Sequence, residues 1–258
     1  MTVFTKNLQK VRNVVTLTRF FWCDTIIKEN KKEGNEMKNI LGFVISIVYI
    51  GLIIVSGKLF EKRSKEASRK FIHIMLAPYW IIAILCFDNV IAASVMPFLF
   101  VIINFLSCKF NIIKQMERDD EEKDGYGTVY YALSLLILSI LTYGPLKIKT
   151  DIYGPIVALT GVLVMALGDG FAAIIGKKVK SFEYKIGKTK KTLAGSATMF
   201  VITLVIISIF LAYFKIPMWF LKAMIISIIS TILEAVAIKG LDNILVPVLT
   251  TLMVFFVI

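Results

Sequence analysis

Met165-Ala-Leu-Gly-Asp-Gly-Phe-Ala-Ala-Ile-Ile-Gly-Lys-Lys178 sets a carboxylate, Asp169, between two glycines near the end of an apolar run that begins at Ile152. A run of that length and composition reads as a membrane helix. If the helix leaves the bilayer near Gly176, a rise of about 1.5 Å per residue puts Asp169 roughly 10 Å inside the hydrocarbon edge. Acids at that depth are rare and by default mark a site for an ion, proton or substrate. The structural alternative is an acid paired to a lysine on a neighbouring helix. The small residues have a packing alternative too, because Ala166-x-x-x-Gly170 and Ala172-x-x-x-Gly176 let helices approach closely whatever the chemistry.

Outward from this stretch, the chain is 57% hydrophobic over 258 residues, with apolar runs of about twenty residues recurring along most of it. It reads as an all-α, polytopic integral membrane protein of seven to eight transmembrane helices. The net charge of +12 does not point to nucleic acid, because the lysines and arginines lie in loops between spans, where they set topology and meet anionic lipid. Cys23, Cys86 and Cys108 lack metal spacing and imply neither a disulfide nor zinc.

Residues 1–36 form a polar, basic segment ahead of a membrane domain over 37–258. Met37-Lys-Asn followed by an apolar run has the form of an ordinary start; the other reading of the segment is a surface helix with Phe20, Phe21 and Trp22 on its apolar side. Eight spans are expected at about 40–58, 71–87, 89–107, 128–144, 152–175, 193–213, 217–236 and 242–258. Loops after the odd-numbered spans carry most of the basic residues, including seven lysines between 177 and 191. The positive-inside rule makes those loops cytoplasmic in a multi-pass cell-membrane protein and leaves the N-terminal segment outside, against the rule unless Met37 is the start or the segment returns to the surface.

With topology set, the unusual polar residues gather at the cytoplasmic boundary: Arg69, Lys70, His73, Asn104, Gly127, Thr128, Asp169, Lys190, Lys191, Thr192, Gly195, Ser196, Glu234, Asp242 and Asn243. The outer side offers Asp88, Asn89 and Asp151. Such a mixture suits a phosphorylated nucleotide handled against a membrane-borne substrate. Carboxylates hold Mg²⁺, lysine and arginine neutralise phosphates, and glycines beside a helix start admit phosphate to backbone N–H groups. The segment Thr189-Lys-Lys-Thr-Leu-Ala-Gly-Ser196 fits the last role. A Walker A loop does not fit, since Phe171 and Lys178 stand where glycine and Ser or Thr are needed. His73 is the only histidine, which excludes His-based triads and multi-histidine metal sites.

Several of these segments resemble a known family. Arg69-Lys-Phe-Ile-His73, Tyr126-Gly-Thr-Val-Tyr130, Gly168-Asp-Gly-Phe-Ala172, Lys190-Lys-Thr-Leu-Ala-Gly-Ser196, Glu234 and Gly240-Leu-Asp-Asn-Ile-Leu-Val-Pro247 are similar, in order, to elements of the bacterial and archaeal relatives of dolichol kinase, phytol kinase and CTP-dependent diacylglycerol kinase. The resemblance runs from about residue 40 to the end. It implies an integral-membrane lipid kinase with CTP as donor, related to the phosphatidate cytidylyltransferases. The His-Gly-Gly and Asp-Arg-x-Asp signature of those enzymes is missing; Gly240-Leu-Asp-Asn243 stands instead, which favours a kinase.

On that resemblance the expected roles are these. Asp169, Asp242 and Glu234 hold Mg²⁺, and Asp169, Asp242 and His73 serve the chemistry. Arg69, Lys70, Gly168, Gly170, Lys190, Lys191, Gly195, Ser196 and Asn243 contact the nucleotide. The partners are a lipid alcohol (phytol, polyprenol or diacylglycerol) and CTP, with phosphatidate cytidylyl transfer as the alternative reaction. A transporter needs polar groups near the midplane and an outer vestibule, which the one-sided distribution disfavours, and a non-catalytic scaffold leaves Asp169 unexplained.

Overall fold

The computed structural model describes residues 33–61, 65–110, 126–149, 152–186 and 189–258. Phe20, Phe21, Trp22 and Cys23 lie outside the described residues. Among the described residues six helices are long and apolar enough to cross a membrane, and the shorter apolar helices Gly127–Tyr143 and Asp242–Val257 accompany them. The protein is an all-α, multi-pass membrane protein.

Helix α1 covers Glu33–Glu61, α2 Lys65–Met75, α3 Ala77–Cys86, α4 Val90–Phe110 and α5 Gly127–Tyr143. A short antiparallel pair follows, β1 Ile148–Lys149 with β2 Ile152–Tyr153. Next come α6 Gly154–Leu163, a π-helical segment Val164–Asp169 and α7 Gly170–Lys178. Antiparallel strands β3 Glu183–Ile186 and β4 Thr189–Thr192 lead to α8 Leu193–Tyr213, α9 Trp219–Val236 and α10 Asp242–Val257. All eight expected spans correspond to helices.

The differences from the sequence reading have local causes. The second span begins at Lys65 rather than 71, because its first turns are a basic amphipathic helix that hydropathy reads as loop. That span breaks at Leu76, since Pro78 lacks an N–H and its ring excludes a continuous turn; it is accommodated in the first turn of α3. The lysine-rich loop after α7 is a hairpin, which the alternation of Phe182, Tyr184 and Ile186 with polar neighbours encodes.

The core lies where α6 and the π segment run through the bundle, packed by α8 and α10, with α4 against α5 and α8 against α9 beside it. Val157, Val162, Val164, Met165, Met199 and Val246 are fully buried there. A side chain at Gly168 would stand 2.5 Å from Met199 Sδ, and one at Gly170 2.5 Å from Ile74. These glycines therefore act as packing positions that bring α8 and α2 against the central helix. Serine and threonine hydroxyls in the bundle mostly bond within it, as Thr160 does to Val157 O and Ser230 to Thr250, each within 2.8 Å.

Candidate active site

Three helices bring one carboxylate each to a common point at the hairpin end of the bundle. Asp169 closes the π segment, Glu234 lies in the last turn of α9 and Asp242 opens α10. They are 7%, 4% and 9% exposed, and one oxygen from each lies within 4.8 Å of the others. The π turn matters to this arrangement because its wider turn re-aims the residue that ends it, and such turns cluster at functional sites. Nothing in the local sequence announces it.

Three buried carboxylates at that spacing require positive charge. Lys70 Nζ donates to Asp169 Oδ2 at 2.7 Å, and His73 Nε2 lies 3.5 Å from the same oxygen. Lys191 Nζ contacts Glu234 Oε1 and stands 4.0 Å from Asp242 Oδ2. Burial disfavours the Lys191 ammonium, but Glu234 and then Asp242 outweigh it and hold its pKa above the ordinary 10.5. Lys70 is thus paired with Asp169 while it also lines the cleft, and the ion pair foreseen as the structural reading of Asp169 exists. It exists inside an acidic cluster, which a simple structural pair would not need.

The hairpin is fastened over this cluster. Leu193 N–H donates to Phe182 O at 2.9 Å, Ala194 N–H to Ser181 Oγ at 3.1 Å, and Tyr184 and Ser196 share a hydroxyl hydrogen bond of 2.5 Å. Thr192 caps α8, its Oγ1 accepting from Gly195 N–H at 3.1 Å. Gly195 packs on Gly176, where a side chain would meet Gly195 Cα at 3.4 Å. The result is a polar cleft of about 230 Å³ between α2, α7, β4 and the facing ends of α8, α9 and α10. Arg69, Lys177 and Lys190 line it together with the charged groups above.

Of the residues expected at a site, Arg69, Lys70, His73, Asp169, Lys190, Lys191, Gly195, Ser196, Glu234, Asp242 and Asn243 all line this cleft. Gly168 and Gly170 do not line it; they pack against Met199 and Ile74. Gly127 belongs to the site indirectly. Gly240, at φ +84°, makes the turn before α10, and a side chain there would lie 2.8 Å from Gly127 Cα. The two glycines thus let α5 close on the turn that delivers Asp242 and Asn243. Residues missed in the sequence are Lys177, hidden among topology-setting lysines, and Tyr131, which reads as an ordinary core aromatic.

Behind Arg69, His73 and Asn243 a second, apolar cavity of about 100 Å³ shares those residues with the cleft. Helices α1, α2, α4 and α5 enclose it, and Asn104 on its wall donates to Thr128 O at 3.1 Å. Tyr131 also faces it and packs on the His73 ring with centroids 4.5 Å apart.

The fold and site together define a multi-pass membrane protein with a buried acidic cluster and a basic rim in one cleft. The chain is 29% identical over 220 residues to a phytol kinase of Synechocystis sp., covering 79% of this chain and 85% of that one. It is 27% identical to proteins called probable phytol kinase, chloroplastic, of Triticum aestivum over 230 residues and Zea mays over 227, covering 79% of this chain and 72% and 71% of theirs. These relatives support the lipid-kinase reading that the motifs carry and indicate a kinase, a phosphotransferase with an alcohol group as acceptor. No protein-family model and no solved structure matches it.

Proposed function

We propose that the protein transfers the γ-phosphoryl group of CTP to the hydroxyl of a membrane lipid alcohol, phytol or a polyprenol, at the cytoplasmic face of the cell membrane. The observation that carries this reading is the convergence of Asp169, Glu234 and Asp242 with Arg69, Lys177, Lys190 and Lys191 in one cleft at the hairpin end of the bundle. The lysine-rich hairpin supports the cytoplasmic assignment.

The donor set suits Mg²⁺, a hard cation bound through carboxylate oxygens. The three carboxylates each offer one oxygen, and these lie within 4.8 Å of one another. Asp169, Glu234 and Asp242 would hold the ion, which supplies neutralisation of phosphate charge. The chain's own residues do the rest. Lys190, Lys177 and Arg69 bind donor phosphates through their side chains, because the first N–H groups of α8 are already taken by Phe182 O, Ser181 Oγ and Thr192 Oγ1. His73, between the cleft and the apolar cavity, orients the acceptor hydroxyl. The acceptor oxygen forms a bond to the γ-phosphorus as the bond to the β–γ bridging oxygen breaks. CDP leaves, and the hydroxyl proton passes to a base or water in the cleft. Catalysis comes mainly from positioning and charge.

The test is an assay of the purified protein with γ-labelled CTP or ATP against phytol, polyprenol and diacylglycerol. Label in a lipid monophosphate with release of CDP is expected. Pyrophosphate release with CDP-lipid formed from phosphatidic acid would replace the kinase by a cytidylyltransferase.

A further inference from the structure

We infer that the apolar cavity beside the cleft is the acceptor slot: the hydrocarbon chain of the lipid alcohol enters it sideways from the membrane, and Tyr131 meets the alcohol oxygen at its inner end. This rests on the kinase reading above and adds where the acceptor sits and which residues select it.

The slot is lined by Ile50, Ile53, Ile103, Ala132 and Leu135, a surface with no charge. Ile103 is 47% exposed on the lipid-facing side of α4, so the cavity reaches the apolar surface of the bundle. A lipid tail can therefore enter without crossing water. Its other end is polar and joins the cleft through Arg69, His73 and Asn243. Two buried polar atoms at this junction, Tyr131 hydroxyl and Asn243 Oδ1, have no hydrogen-bond partner among the described residues. Buried groups of this kind are nearly always paired, and a hydroxyl delivered on an apolar chain satisfies such an end. Tyr131 packs on His73, whose Nε2 lies 3.5 Å from Asp169 Oδ2. The slot thus ends one side chain away from the acidic cluster, where an acceptor oxygen must be to attack a bound phosphate.

Size supports a single chain. A volume of about 100 Å³ is well below the roughly 300–1,000 Å³ that encloses a drug-sized ligand. It holds the head end of one tail while the remainder lies along α1 and α4, and it does not take the two ester-linked chains of diacylglycerol together.

The experiment uses the full-length protein in mixed micelles, γ-labelled CTP, and phytol, farnesol or dioleoylglycerol as acceptor. Ile103→Trp narrows the mouth from an exposed position that the fold tolerates, and Ala132→Ile fills the middle. Each is expected to raise KM for phytol by about tenfold while KM for CTP stays within about twofold. Tyr131→Phe is expected to lower kcat/KM for phytol by about tenfold, again with little change in KM for CTP. Labelled phytol with unchanged acceptor KM in both slot variants overturns the slot and leaves the kinase reading standing. Dioleoylglycerol labelled as fast as phytol overturns the single-chain assignment. No label from CTP in any of the three acceptors overturns the CTP-kinase reading and the slot with it.

Discussion

At the end of the bundle away from the hairpin, Trp80 Nε1–H donates to Pro155 O at 2.8 Å, its ring edge meets Tyr143, and Tyr143 in turn meets Tyr153. Asn89 caps α4 through Ala92 N–H at 2.9 Å, and Lys147 Nζ donates to Asp88 O at 2.6 Å. At the hairpin end, by contrast, carboxylates from three elements face lysines from two others across a cleft. At the first end Trp80, Asn89 and Lys147 bond to neutral partners, each bond worth about 1 kcal/mol net or somewhat more for the charged lysine, while the buried Tyr143 hydroxyl has no partner among the described residues. The second end holds charges that no single helix can satisfy. Breaking one buried pair there costs about 3–5 kcal/mol, because the remaining charge is stranded. An assembly of that kind is costly to keep for packing alone, whereas the aromatic end is explained by packing alone.

The sharpest way to break the comparison is one substitution at each end. Asp169→Asn keeps shape and removes the charge shared by Lys70, His73 and the cluster; turnover per folded molecule is expected to fall by about a thousandfold or more, and the melting temperature to drop because Lys70 loses its buried partner. Trp80→Phe loses the bond to Pro155 O and is expected to lower the melting temperature while leaving kcat/KM per folded molecule within about twofold. Labelled-lipid assays beside thermal melts read both, and turnover near wild type in Asp169→Asn would return that residue to a purely structural role.

Glu234→Gln and Asp242→Asn come next. Each removes one of three carboxylate ligands, so activity is expected to drop about 10–100-fold and to recover in part at high Mg²⁺ concentration. A titration of rate against Mg²⁺ checks this, and an unchanged midpoint would dissociate the cluster from metal.

The smallest effects separate the two hairpin lysines. Lys190→Ala is expected to raise KM for CTP several-fold without changing stability, since Lys190 is exposed on the cleft wall. Lys191→Ala is expected to raise KM and also lower the melting temperature, because it strands Glu234 and Asp242. The sign of its pH dependence follows from a folded-state pKa raised above 10.5. Its contribution is fully present below 10.5 and is lost only as pH rises through the higher folded value. Melts of wild type and variant should therefore differ by a constant amount between pH 7 and pH 9, and a gap that closes within that window would show that Lys191 is not held charged by the acids.

The amino-acid sequence by itself determined the eight spans and gathered the unusual polar residues at one end of them, since hydropathy over about twenty residues and the placement of charge act locally. It also brought forward Asp169, Glu234 and Asp242, each costly to bury at its depth. The partners of those acids were decided in three dimensions. Lys70 and Lys191 look alike in sequence to the lysines that merely set topology; which ones turn inward depends on how α2 and the β3–β4 hairpin dock, over separations of 99 and 43 residues. The packing role of Gly168 and Gly170 likewise depends on Met199 and Ile74, which no local pattern names. The π turn and the slot at Tyr131 arise from how helices fit against one another, and close packing of that kind is a property of the assembled bundle, not of any one segment.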